Sequence, residues 1–153
     1  MTSAAADAVR RAVPADRVAI EQLVRAAYQH YIERIGVPPA PMSADYGQLI
    51  ADGAVWVSEA DEGIAGVLVV DLRTDHLLID NVAVAPALQG GGVGTLLLGF
   101  AERLAVEHRL GEVRLYTNEK MTENLAYYPR RGYVESGRGI EHGFTRVYFR
   151  KRL

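Results

Sequence analysis

Cysteine is missing from all 153 residues, which excludes disulfides, thiolate nucleophiles and cysteine-held metals. Histidine is scarce. His30, His76, His108 and His142 show no H-E-x-x-H or comparable spacing, so no metal is expected. No stretch nears the roughly 20 consecutive apolar residues of a membrane span. Met1 to Ala8 is small and polar, without an apolar leader core. A cytoplasmic, soluble protein with no membrane partner is the expectation. An excess of one charge is lacking too. Lys and Arg number 17 against 19 Asp and Glu, a net −2, which argues against nucleic acid held by a basic face. The basic residues near the C-terminus, Arg146, Arg150, Lys151 and Arg152, read as a solvated strand end.

The length suits one domain, 1–153, able to bury roughly 68–70% of its unfolded surface. No repeat or low-complexity tract divides it. Ala8 to Val13 reads as a short first strand stopped by Pro14. Asp16 stands as the cap of a helix with Ile20, Leu23, Val24, Ala27, Tyr28 and Tyr31 at helical spacing. Gly36 to Pro41 makes a rigid, extended connection, and a short helix is expected over Ser43 to Ile50. Val55–Glu59 and Gly66–Val70 flank the hairpin signal Asp61-Glu62-Gly63, and His76–Val84 is a third strand candidate. A long helix over Gly94–Leu110 has Val93, Leu96, Leu97, Phe100, Leu104 and Ala105 or Val106 on one side, with Gly111 expected to end it. Val113–Thr117 follows as a strand, expected parallel to its predecessor because a full helix lies between. Asn124–Arg131 is a short helix stopped by Gly132, and Tyr133–Glu135 and Phe144–Arg150 supply the last strands. This β-α-α-β-β-β-α-β-α-β-β order indicates an α/β or α+β sandwich on a mixed sheet.

The densest chemical signal lies between the third strand and the long helix. Gln89-Gly90-Gly91-Gly92-Val93-Gly94 places four glycines in five residues. At a strand-to-helix turn they leave amides bare and admit a ligand close to the main chain, at the positive end of the helix. Such a terminus binds phosphate. A Walker loop is excluded, since no Gly-Lys-Ser/Thr closes the segment. A G-x-G-x-x-G dinucleotide loop fails as well, because its third glycine would fall on Thr95 or Leu97. What remains is Q-x-x-G-x-G, read as Gln89, Gly92 and Gly94, after a strand and an Ala85-Pro86 break.

This segment resembles the pyrophosphate loop of the GNAT superfamily, the acyl-CoA-dependent N-acetyltransferases. The element order is similar to theirs over nearly the whole chain, most strongly from Asp80 to Tyr133. The resemblance implies a GNAT-like α/β (α+β) fold: a mixed, mostly antiparallel sheet of six to seven strands with a central parallel pair, flanked by about four helices. It implies acetyl-CoA as co-substrate, an amine on a small molecule or peptide as acceptor, and no metal. Dimers are common among relatives, so a homodimer stays open. By position, the backbone of Val82, Ala83 and Val84 would pair with the pantetheine arm as an added strand does. Gln89 and the amides of Gly90, Gly91, Gly92, Val93, Gly94 and Thr95 would cradle the pyrophosphate, with the Thr95 hydroxyl assisting. Many relatives carry Arg or Lys where Gly90 and Gly91 stand here. Basic help for the 3′-phosphate would then come from Arg130 or Arg131.

Met121 to Tyr133 resembles the family's N-x-x-x-Y-x-x-x-G-[FY] segment. That match makes Asn124 a hydrogen-bond partner of the cofactor arm and Tyr128 the general acid that protonates the departing thiolate. Packing is the ordinary role of a helical tyrosine. Tyr127 is the rival acid, pointing about 100° away. Pro129 removes a helical hydrogen bond beside Tyr128 and leaves open whether a kink aims the hydroxyl or spoils it. Histone-type relatives use a glutamate early on the strand before the loop. Leu78 occupies that position, and Asp80, two residues on and on the same face, is the nearest carboxylate. Tyr31, Asn81 and His142 are the acceptor-side candidates, with Glu33, Asp45 and Glu141 weaker, because the first helical connection and the final hairpin line the acceptor side in relatives. The implied reaction is direct transfer of acetyl to a primary amine in a ternary complex. The alternative is a non-catalytic acyl-CoA-binding or sensing domain, favoured by Leu78 and Pro129.

Overall fold

The computed structural model describes residues 9–153. The elements are β1 (Val9–Arg11), α1 (Arg17–Tyr28), α2 (Tyr31–Ile35), α3 (Tyr46–Ala51), β2 (Val55–Ala60), β3 (Gly63–Leu72), β4 (Leu77–Val84), α4 (Val93–Glu107), β5 (Glu112–Asn118), α5 (Thr122–Arg130), β6 (Val134–Glu141) and β7 (Phe144–Arg152). Short 3-10 turns lie at Pro14–Asp16, Ala40–Ser43 and Pro86–Leu88. The seven strands follow the order β1-β2-β3-β4-β5-β7-β6. The β4–β5 pair is parallel, and the β1–β2, β2–β3, β5–β7 and β7–β6 pairs are antiparallel. The mixed sheet matches the expectation. Among the described residues there are five α-helices, close to the expected number, the extra one arising because the first helix does not run on through Tyr31. The Ile32 amide bonds the Gln29 carbonyl, a tighter i−3 bond that interrupts the ladder, and Gly36 at φ +96° closes α2. Among the described residues no helix is long and apolar enough to cross a membrane. Two compact units divide the chain: one runs to Val70 and takes in Asn81–Phe100, the other holds Asp71–Asp80 and Ala101–Leu153.

In the first unit α1 buries Ile20, Leu23, Val24 and Ala27, the i, i+3, i+4, i+7 stripe of an amphipathic helix. They pack with Tyr46, Ile50, Val55, Val57, Val67, Val69 and Ala83 into one apolar core. From Ala65 to Val70 every residue of β3 is buried, the pattern of a strand covered on both faces. Asp16 is not the side-chain cap that its position suggested. Its carboxylate takes both terminal nitrogens of Arg10, at 2.8 and 3.0 Å, and the Val13 amide at 2.8 Å.

In the second unit the β4–β5 ladder is three pairs long, from Leu77↔Val113 to Ile79↔Leu115. β5 pairs along its whole length with β7, bringing Tyr116 opposite Tyr148 and Asn118 opposite Arg146. β6 is almost wholly exposed, as an edge strand can be. Gly111 does not end α4. The helix stops at Glu107 and Arg109 takes the left-handed conformation at φ +58°. The Leu110 amide bonds the Ala105 carbonyl and the Arg109 amide that of Val106, the two bonds of a Schellman motif.

Candidate functional site

In the first unit the glycine loop opens α4, and each of its first three glycines has its own reason. Gly90 and Gly92 sit at φ +84° and +93°, where a Cβ is penalised. Gly91 has an ordinary φ, but a Cβ there would stand 3.2 Å from the Leu88 carbonyl oxygen. Among the described residues, no backbone carbonyl takes the amides of Gly90, Gly92, Val93 or Gly94. These amides lie at the positive end of a 15-residue helix. Gln89 ties the loop to the strand before it, its Nε2 donating to the Val84 carbonyl at 3.3 Å. Thr95 is exposed in the first turn.

A glycine in β3 seats this helix. A Cβ on Gly66 would meet Leu97 Cδ1 and Val93 Cγ1 at 2.8 Å and the Ala83 carbonyl oxygen at 3.3 Å. Only a bare backbone lets the first turns of α4 rest on the strand. Sequence reasoning gave Gly66 no such weight, although a glycine within an apolar strand run is the usual sign of close approach.

Asn81 lies on the opposite face of β4 from Val82 and Val84, and its side chain bonds two tyrosines. Its Oδ1 accepts from the Tyr28 hydroxyl at 2.6 Å, and its Nδ2 donates to Tyr46 Oη at 3.2 Å. Tyr46 donates in turn to the Pro41 carbonyl at 2.6 Å. The Tyr28 hydroxyl also approaches the Val82 carbonyl, at 3.0 Å. The single Tyr28 hydroxyl proton is shared between Asn81 Oδ1 and the Val82 carbonyl, the Val84 carbonyl accepts from Gln89, and Ala83 is packed in the core. Tyr31 is buried among aromatic and cationic neighbours, with His30 at 3.9 Å and the Arg34 guanidinium at 5.0 Å. Asp45 caps α3 by accepting from the Gln48 amide, and Glu33 is exposed.

In the second unit the spacing around Tyr128 has a local cause. Gly132 takes φ +92° just past α5. The Tyr133 amide bonds the Tyr128 carbonyl at 3.2 Å and the Gly132 amide that of Pro129 at 3.1 Å. This is again a Schellman motif, and the aromatic contact that accompanies it joins Tyr133 to Tyr128, with ring centroids 6.0 Å apart. Tyr128 also meets Phe149 at 5.8 Å and Tyr127 at 5.4 Å. Pro129 does not break the helix, which continues to Arg130. Tyr127 lies beneath the Arg131 guanidinium, 5.2 Å from its ring, and Arg131 is otherwise exposed. Asn124 donates to Thr117 Oγ1 at 3.0 Å, while its amide oxygen accepts from no described residue.

Asp80 is half-buried beside Tyr116. Burial and the charge of Asp71 push its carboxyl above the usual range, against the pull of Arg73, Arg146 and the Tyr116 hydroxyl. Arg146 corrects the reading of a solvated basic end. It is buried, its guanidinium 4.2 Å from the Tyr116 ring centroid. Arg150 and Arg152 are exposed, and Lys151 bonds Glu102 at 3.1 Å. Glu141 accepts from the Tyr148 hydroxyl. His142 is exposed at φ +52° and with Gly143 at +82° forms the tight turn of the β6–β7 hairpin.

A family model described as the acetyltransferase (GNAT) domain matches residues 51–135. Comparison with curated protein sequences gave no match. Among solved structures, the PaiA N-acetyltransferase of Thermoplasma acidophilum in complex with coenzyme A superposes with a TM-score of 0.80 at 13% identity, covering 95% of this chain and 98% of its own. The ribosomal-protein-S18-alanine N-acetyltransferase of Escherichia coli gives 0.73 at 14%, covering 94% and 92%. Chaetomium thermophilum Naa20 in complex with a bisubstrate analogue gives 0.73 at 20%, covering 95% and 86%. The glycine loop and the segment from Asn124 to Tyr133 both fall inside the matched region, and the chain belongs to the GNAT acetyltransferase family.

Proposed function

We propose that this protein moves the acetyl group of acetyl-CoA to a primary amine by direct attack in a ternary complex. One observation carries the reading: among the described residues no backbone carbonyl takes the amides of Gly90, Gly92, Val93 and Gly94 at the start of α4. A diphosphate is the ligand that such amides and a helix dipole serve. Loop side chains add no positive charge, so the backbone supplies the attraction there. Gln89, Gly91 and Thr95 complete that cradle. The backbone of Val82, Ala83 and Val84 runs beside the pantetheine arm, the free amide oxygen of Asn124 accepts from it, and Arg131 meets the outer phosphate. Tyr31, Asn81 and His142 are the residues proposed to meet the acceptor.

In the transfer, the amine nitrogen attacks the thioester carbonyl carbon, and a C–N bond forms as the C–S bond breaks. The nitrogen gives up one proton to the Asp80 carboxylate, and the departing thiolate takes one from the Tyr128 hydroxyl. The products are an N-acetylated amine and free CoA. A carboxyl held above its usual range is the stronger base once ionised, which suits Asp80 to this step. The sensing alternative keeps the loop and needs neither acid nor base. Leu78 favours it, whereas the unbroken helix through Pro129 removes its second support.

Two measurements test the reading. CoA and acetyl-CoA are expected to raise the melting temperature with concentration, by about 2.7 kcal/mol of stability at a hundred times Kd. Free thiol should then appear from acetyl-CoA with at least one member of an amine panel. Stabilisation without thiol release from any amine returns the sensing domain. Absence of stabilisation removes the CoA reading altogether.

A further inference from the structure

Arg146 is the residue of the second unit that the reaction above leaves unexplained. It stands in β7 opposite Asn118 of β5 and Gly139 of β6, and only 8% of it is exposed. A guanidinium stays charged and carries five N–H donors in a planar fork. Among the described residues none of these donors makes a hydrogen bond. Its ion-pair partner, Glu141 Oε2, lies 3.6 Å from Nη1, outside hydrogen-bond reach. The Tyr116 ring beneath it is attractive but accepts no hydrogen bond in the plane of the fork. Burying a charge without an acceptor is costly, and packing between β5 and β6 needs no charge.

We propose that Arg146 receives the carboxylate of the acceptor, which makes the acceptor an amino acid or a related amino carboxylate whose nitrogen faces Asp80. The inference rests on the acetyltransferase reading. Tyr116 is common to both: the Arg146 guanidinium lies 4.2 Å from its ring centroid, and the charges of Asp80 and Arg146 both act on its hydroxyl. An amino carboxylate carries the two complementary groups, a nitrogen for Asp80 and a carboxylate for the Arg146 fork. A carboxylate on the fork makes two parallel charged bonds where Glu141 makes none. Glu141, with its side chain 48% exposed on the hairpin, is the anion that the incoming carboxylate displaces from Arg146. A polyamine would bring a second cation towards a buried guanidinium, and is disfavoured.

The test pairs the standard L-amino acids with their carboxamides as acceptors in the thiol-release assay. The wild type is expected to use at least one acid about 100-fold better, in kcat/KM, than its amide. Arg146→Gln should raise KM for that acid about 100-fold with little change for the amide, and Arg146→Lys should lose part of the preference. Glu141→Gln should lower KM for the acid severalfold. If Arg146→Gln fails to fold, the acid–amide comparison on the wild type decides alone. Equal use of acid and amide, or turnover confined to amines without a carboxylate, overturns the proposal while leaving the acetyltransferase intact. Absence of thiol release with every amine tested, although CoA still stabilises, would overturn the acetyltransferase reading instead, and this inference with it.

Discussion

Tyr128 owes its setting to residues that follow it. Its carbonyl receives the Tyr133 amide because Gly132 turns left-handed, and the two rings then meet. The Tyr–x–x–x–Gly–aromatic spacing is thus a helix stop as well as a signature. Tyr128→Phe keeps the ring contacts and removes only the hydroxyl. It should lower kcat about 100-fold or more, while Tyr127→Phe leaves kcat near wild type. Equal losses in the two variants would reassign the acid. For Asp80, kcat/KM of the wild type should rise with pH through the raised pKa of its carboxyl. Asp80→Asn should lose that limb together with about 100-fold or more in rate. Tyr116→Phe removes a donor that favours the charged form, so the limb should move to higher pH. A carboxyl raised on folding binds its proton more tightly in the native state. Its burial therefore lowers stability as pH climbs from the unfolded range to the folded value. Asp80→Asn should consequently be the more stable protein at neutral pH, and the gain should vanish in acid.

Helix α4 shows the same division of labour at its two ends. At its start, Gly66 beneath and Gly92 ahead set the position and conformation of the bare amides. Gly92→Ala puts a Cβ at φ +93°, a strain of about 1–2 kcal/mol. A weakening of CoA binding by tenfold or more is expected in calorimetry, since relaxing the strain must move the amides. At its end, Arg109 carries a similar penalty with no ligand to serve. Arg109→Gly should raise stability by about 0.5–1 kcal/mol, read as a higher urea midpoint, and leave turnover alone. Opposite effects of glycine and alanine at the two ends would trace to φ alone. Where glycine was expected to close the helix, at Gly111, the chain had already turned two residues earlier. A Schellman motif is chosen by where the apolar stripe ends, and Arg109 tolerates the conformation that Gly111 was expected to supply.

For the molecule as a whole, near-balanced charge leaves acid stability to a few specific pairs. Arg10 holds the Asp16 carboxyl below the usual range, through two hydrogen bonds of 2.8 and 3.0 Å. Arg114 does the same for Glu112. Such groups add stability that is fully present above the unfolded carboxylate range and is lost as pH falls through the folded values. Asp16→Asn should cost about 1 kcal/mol at pH 7, and the difference from wild type should shrink in acid, checked by urea unfolding at several pH values. A gap that persists below the folded value would mean that the Val13 amide bond, not the charge, is the stabilising part.

Features that depend on neighbours along the chain were legible in advance. The glycine loop, the apolar stripe of α1, the Tyr128-to-Gly132 spacing and the parallel pair implied by an intervening helix all arise from local sterics and periodicity, which residue order specifies directly. Strand pairing decided the rest. The burial of Arg146, its place over Tyr116, the nearness of Asp80 to that tyrosine and the seat that Gly66 offers α4 arise from register between strands distant in sequence. A basic residue reads the same on paper whether solvent or a neighbouring strand covers it. Only the folded sheet sets the local dielectric and the available partners, and these decide whether a charge is merely solvated or held ready for a ligand.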